Sequence, residues 1–192
     1  HQLAWGKWVY VVVIFVLTAT SLVAVRRAEA IAFYNQGRNY LAEGQIELGI
    51  AQLQKSLAVT GEMIDREDIY VRLCPMMLNQ GGDGRNCLQA GRQLFPRNPT
   101  LHIYQQVVVA LDGDLNARRH LDSYRGKSPI GRVIAEAYYH AGRGAFRGED
   151  YARSVAALSR SLVFDMERDD ARSSLRAART ALSKQASANY LR

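Results

Sequence analysis

Trp8 to Val25 reads WVYVVVIFVLTATSLVAV, and no other part of the chain is like it. The stretch carries no charge. A helix in water normally buries one stripe; one that is apolar on every side belongs in a large core or in a membrane. At 1.5 Å per residue this one reaches about 27 Å, close to the ~30 Å hydrocarbon layer of a bilayer. Trp5, Trp8 and Tyr10 stand near one end, where amphipathic rings favour the headgroup region. Arg26 and Arg27 close the other end, where long basic stems can reach phosphates. We therefore expect residues 1–27 to be a membrane anchor that meets lipid through residues 8–25. The alternative is a cleaved signal peptide. Ala28-Glu29-Ala30 has the small-residue look of a cleavage site, but the apolar region exceeds the usual ~7–15 residues and two arginines precede the site.

The remaining 165 of the 192 residues suffice for one domain with a real core. Three of the four prolines (Pro75, Pro96, Pro99) fall in one middle region, and β-branched runs are nearly absent outside the apolar stretch. Ala, Leu and Arg dominate, which favours helix. The expected fold class is all-α. The net charge of +7 permits contact with anionic lipid or an acidic partner. No nucleic-acid motif accompanies it, and no nucleic-acid partner is expected.

Catalytic signatures are missing. There is no GxxxxGK[ST], no HExxH, no CxxC and no metal-ligand spacing, and His102, His120 and His140 are scattered. Gly81-Gly82-Asp83-Gly84 reads as a turn, and Asp112-Gly113-Asp114 offers too few carboxylates for Ca²⁺. We expect no enzyme activity, no cofactor and no metal.

After Arg27, apolar and small residues recur at helical spacing in two blocks, Phe33 to Leu41 and Ile46 to Leu57, broken at Glu43-Gly44-Gln45. Gly44 sits where a left-handed helix terminator belongs, and Gly37 and Gly49 are small residues on the facing sides. The pattern Phe33, Gly37, Tyr40, Gly44, Gly49, Leu53, Ser56 resembles the tetratricopeptide repeat, a helical hairpin of about 34 residues. Gln36 and Gly61 depart from it, standing where that family usually has Leu and Pro. A second good match carries Tyr138, Gly142 and Ala145, a turn at Gly148-Glu149-Asp150-Tyr151, then Ser154, Leu158 and Ser161; its glycine falls one place early. Two weaker units lie between them. One runs from Asp65 to Phe95 and is closed by Asn98-Pro99; the other has Thr100 as a candidate cap and a turn at Asp112-Gly113-Asp114. Gly126-Lys127-Ser128-Pro129 reads as a linker. The resemblance implies an α-solenoid over residues 28–192, with hairpins at about 28–60, 65–96, 99–126 and 129–165 and a capping helix over 168–190. Arg26 to Ala42 contains no breaker, so the membrane helix can run straight into the first repeat.

The resemblance also implies candidate residues. In that family the concave face receives a protein segment; here it would include Tyr34, Asn35, Arg38 and Asn39 and, further on, Tyr139, His140 and Arg143. Arg168, Arg172, Arg176 and Arg179 recur along the last helix as a basic face, either a contact for acidic groups or simply a solvated surface. With Gly82 as the turn glycine of the second unit, Cys74 and Cys87 fall on facing helices, as a disulfide or as two buried thiols. A disulfide would place the repeats in an oxidising compartment, whereas the arginines after the span argue for the cytoplasm. The expectation is a single-pass protein of a bacterial inner membrane with a periplasmic repeat domain. It would be a scaffold for other proteins of a membrane or envelope complex, of unspecified oligomeric state. Two alternatives remain. One is the last span and tail of a larger multi-span envelope enzyme, such as a polysaccharide polymerase or ligase, with sequence removed ahead of His1. The other is a small transmembrane subunit of a respiratory or photosynthetic complex.

Overall fold

The computed structural model describes residues 2–59, 66–126 and 129–190, with side chains from residue 8 onward. Gly61, Asp65, Lys127 and Ser128, and the side chain of Trp5, lie outside the described residues. Among the described residues there are nine α-helices and no strand: α1 (Gln2–Ala42), α2 (Ile46–Val59), α3 (Arg66–Asn79), α4 (Gly84–Leu94), α5 (Pro99–Leu111), α6 (Leu115–Asp122), α7 (Ile130–Arg147), α8 (Tyr151–Phe164) and α9 (Asp169–Tyr190). Two compact units divide inside α3, between Ile69 and Tyr70. The apolar stretch and the first hairpin thus share a unit.

In the first unit, α1 passes through Arg26 and Arg27 without interruption. Its apolar part is long enough to cross a membrane, and among the described residues nothing buries it. Burial begins at Ala30, where α2 meets it. The two helices approach through the small residues. A Cβ on Gly37 would come within 2.9 Å of Leu53 Cγ, and one on Gly49 within 2.6 Å of Leu41 Cδ2. Leu53 is fully buried in the seam, a contribution of about 1.5–3 kcal/mol. Ser56 is buried too, and its hydroxyl donates to the Ala30 carbonyl at 2.9 Å, so it carries no unpaired polar atom into the seam.

The second unit uses the same devices. A Cβ on Gly142 would stand 2.7 Å from Leu158 Cγ, and Ser161 donates to the Ala135 carbonyl at 2.7 Å. Gly142, Leu158, Ser161 and Ala135 each follow Gly37, Leu53, Ser56 and Ala30 by 105 residues. The core joins α3 through α8, with Leu88, Leu101, Tyr104, Val107, Ile134 and Tyr138 buried in it. Leu158, Leu175 and Ala178 form a further cluster under α9. The helix α5 packs on α4, α6 and α7, while α9 packs mainly on α8.

Four hairpins close with one hydrogen-bond pattern. Gln45 N–H donates to Tyr40 O and Gly44 N–H to Leu41 O; the equivalent pairs run from Gly82 to Met77 and Gly81 to Leu78, from Asp114 to Val109 and Gly113 to Ala110, and from Asp150 to Ala145 and Glu149 to Phe146. This satisfies the last carbonyls of each first helix and requires a left-handed residue at the crossing point. Gly44 (φ 77°), Gly81 (φ 73°) and Gly113 (φ 104°) supply it, and in the last hairpin Glu149 does so with φ 59°. The turn glycine of the second hairpin is therefore Gly81, not Gly82. One further expectation is corrected. The N-cap of α5 is Asn98, whose side chain accepts from Leu101 N with Pro99 in the first turn, so Thr100 lies inside the helix. The helix α3 runs through Pro75, whose ring removes one backbone donor without ending it.

Candidate functional site

In the first unit, the residues expected on an inner face divide into two groups. Tyr34 is half-buried and donates its hydroxyl to the Asp68 carboxylate. Arg38 lies beside it, its guanidinium 5.7 Å from the Tyr34 ring centroid. Asn35 and Asn39 are exposed, on the side of α1 turned from α2. This leaves two amides and a guanidinium on an accessible surface, with Tyr34 committed to structure.

In the second unit, α5, α7 and α9 bring together a denser group. His140 is 6 % exposed; its ring lies near-parallel to that of Tyr104 with centroids 6.2 Å apart, packed between α5 and α7. It is therefore core and not a groove-lining donor, contrary to the sequence reading: its aromatic body fills the seam, and its Nε2 meets Glu136 Oε1 at 3.4 Å, one helical turn back. Its Nδ1 is buried with no hydrogen-bond partner among the described residues. The sequence reading missed Glu136. It is half-exposed, and its carboxyl is held below the usual range, chiefly by the hydrogen bond from His140, with desolvation opposing and the charges of His140 and Arg168 helping. It is an ionised acceptor at neutral pH. Burial, with the charge of Glu136 adding to it, pushes the Tyr104 hydroxyl well above its usual range.

Tyr139 and Arg143 face α9. The Arg168 guanidinium stacks 4.5 Å from the Tyr139 ring centroid, and Arg143 reaches Ser174 Oγ at 3.4 Å. The result is an accessible surface of one carboxylate, two guanidiniums and a tyrosine ring, with Glu136, Tyr139 and Arg143 on α7 and Arg168 just ahead of α9. Its donors and acceptors suit peptide backbone and side-chain carboxylates. The i, i+4 spacing of Glu136 and His140 was a readable signal for part of it; the contribution of Arg168, from the connection ahead of α9, was not.

The basic face is less uniform than its spacing suggests. Arg168 stands one residue ahead of α9 and pairs with Asp170 at 3.0 Å. Arg172 pairs with Asp169 at 2.9 Å and also donates to the Met166 carbonyl. Arg176 and Arg179 are exposed on α9. Acidic residues at the start of the helix thus neutralise the first two members of the row.

Elsewhere in this unit, Cys74 and Cys87 are at disulfide distance, with Cα atoms 5.3 Å apart, and link α3 to α4. Asp112, in the turn between α5 and α6, receives Arg85 from α4 at 2.7 Å and Arg153 from α8 at 2.7 Å. The two arginines line an open cleft of about 310 Å³ whose walls include Gly81, Gly144 and Val108. Among the described residues, no three His, Cys, Asp or Glu side chains converge as a metal-ligand set. No family model matches the sequence, and neither a curated protein nor a solved structure matches it.

Proposed function

We propose that this chain is a membrane-anchored docking protein: α1 holds it in a bilayer, and its helical hairpins receive segments of other proteins of a membrane complex. The observation that carries the proposal is the continuity of α1, in which an uncharged span-length segment and the first helix of a packed hairpin are one helix. The tetratricopeptide-like reading belongs to the same proposal. Its support is the recurrence, 105 residues apart, of the glycine–leucine seam, the buried serine bonded to a facing carbonyl and the left-handed turn residue. That interval is three units of about 35 residues, near the repeat length of the family. The face formed by Glu136, Tyr139, Arg143 and Arg168 is the proposed docking surface of the second unit, and Asn35, Arg38 and Asn39 that of the first. The bond available to Cys74 and Cys87 favours placing the hairpins on the oxidising side of a bacterial inner membrane.

Site-specific photo-crosslinking in intact cells tests the reading. A photoreactive side chain at Asn39 or Tyr139 is expected to give a discrete adduct with a membrane-associated protein. One at Gln185, on the exposed far end of α9, is expected to give none. Substituting Glu136 and Arg143 together should abolish the Tyr139 adduct while the protein stays in the membrane fraction. Equal adducts at all three positions, or none at Asn39 and Tyr139, would rule the docking role out, and release of the chain by alkaline carbonate would rule out the anchor.

A further inference from the structure

The register of the first hairpin fixes where α2 ends relative to the span. The two helices run antiparallel: Gly49 lies against Leu41, Leu53 against Gly37, and Ser56 bonds to Ala30. Three more residues bring α2 to its end at Val59, a further ~4.5 Å toward the span. That is the height of Arg27, two residues beyond the last residue of the apolar stretch. The last turn of α2 therefore reaches the level at which the apolar stretch gives way to charge.

The charged side chains near this level are mainly cationic. Arg26 is one turn below Ala30 on the stripe that packs against α2, which directs it toward the C-terminal end of that helix. Arg27 is exposed beside it. Lys55 is exposed on α2, its ammonium 5.8 Å from the Phe33 ring centroid. Glu29 is the one described acidic side chain on α1 within a turn of the two arginines. A helix C-terminus carries unpaired carbonyls and partial negative charge, which phosphates avoid unless cations intervene. Here Arg26 and Arg27 stand at its level, and Lys55 follows one turn back along α2.

We propose that the last turn of α2 sits in the phospholipid headgroup layer, where Arg26, Arg27 and Lys55 bind lipid phosphodiesters. The first hairpin then stands on the membrane surface at two points, through α1 and through the end of α2. This rests on Trp8–Val25 being a span, and the experiment separates the two ideas. The full chain, with Cys74 and Cys87 left bonded, is reconstituted in phosphatidylcholine vesicles containing phosphatidylglycerol. A spin label is placed in turn at V16C, E47C and A58C, and its accessibility to oxygen and to a water-soluble nickel chelate is read. The label at 16 should be in hydrocarbon, the label at 47 in bulk water, and the label at 58 at headgroup depth, although 47 and 58 are only about 16 Å apart along α2. In parallel, spin-labelled phosphatidylglycerol should be motionally restricted by the protein about threefold more than spin-labelled phosphatidylcholine, and R26Q/R27Q/K55Q should erase that preference. If the label at 16 reports hydrocarbon while 58 is as water-exposed as 47, the headgroup seat is wrong and the span stands. If the label at 16 reports water, both fail. A lipid preference unchanged in the triple variant overturns the assignment of the three cations.

Discussion

Replacing Gly144 by alanine tests the closest backbone approach in the second unit. A Cβ at this position would stand 1.9 Å from the Leu78 carbonyl oxygen, 3.1 Å from its carbon and 3.3 Å from Gly81 N. All three neighbours are backbone, so no rotamer change relieves the overlap. The turn between α3 and α4 would have to move away from α7 by roughly 1.4 Å to restore an ordinary C···O contact. That movement would also pull Asn79 O from Arg147, which donates to it at 3.1 Å. Overpacking costs about 1–3 kcal/mol and a lost charge-assisted hydrogen bond about 1.5–3 kcal/mol. Replacing a helical glycine returns about 1 kcal/mol. The net loss is about 1.5–5 kcal/mol. Circular dichroism at 222 nm on the full chain in detergent should show a melting temperature lower by about 4–15 °C. Gly148 is the control: its nearest neighbours would be 3.6 and 3.7 Å from a Cβ and its φ is −82°, so G148A should melt within about 2 °C of the parent. A G144A protein that melts with the parent, or a G148A protein that falls as far, would refute the contact.

Glu149→Gly should raise the melting temperature: the left-handed conformation costs a non-glycine residue about 1–2 kcal/mol, and the entropy of a new glycine takes back about 0.5–1 kcal/mol. A fall of several degrees would mean that Glu149 holds a contact worth more than its backbone strain. Reduction of the Cys74–Cys87 bond, which spans a sequence separation of 13, should destabilise the second unit by about 3 kcal/mol; unchanged melting in dithiothreitol would mean that the bond is not formed. The Asp112 carboxyl is held below its usual range, first by the hydrogen bond from Arg85 and also by Arg153. Its contribution is therefore complete above the unfolded value near 3.8 and fades as pH falls through the lower folded value. Because the bridge is exposed, each pair contributes under about 1 kcal/mol. The parent should exceed D112N slightly at pH 7 and converge with it toward pH 2; a difference that widens in acid would contradict the bridge.

The helical class, the span-length apolar segment and the hairpin turns could be read because each is a local signal. Gly44 announces a left-handed terminator by residue type alone, and Gly37 and Gly49 announce close approach. Glu149 shows where that logic ends: the turn needs φ > 0 there, but its glycine lies one residue early, so the conformation is imposed by the two flanking helices. Gly81 and Gly82 are adjacent glycines, and only the 82→77 and 81→78 hydrogen bonds show which one turns. The fate of His140 was equally hidden. Helical spacing gives the face of α7 on which it lies, but not that Tyr104, 36 residues earlier, closes over that face. Arg168 fits an i, i+4 row in the sequence, yet it precedes α9, and Asp170 and Tyr139 claim its guanidinium.

The unbroken path of α1 makes it a lever. From Val25 to Ala42 the helix extends about 25 Å beyond the apolar stretch, with no proline to act as a hinge. If the segment below tilts by about 20° to fit a thinner bilayer, the far end swings by roughly 9 Å. Bilayer thickness would then set where Asn35 and Asn39 are presented, with no change in any contact within the protein. A flexible linker would have erased that dependence.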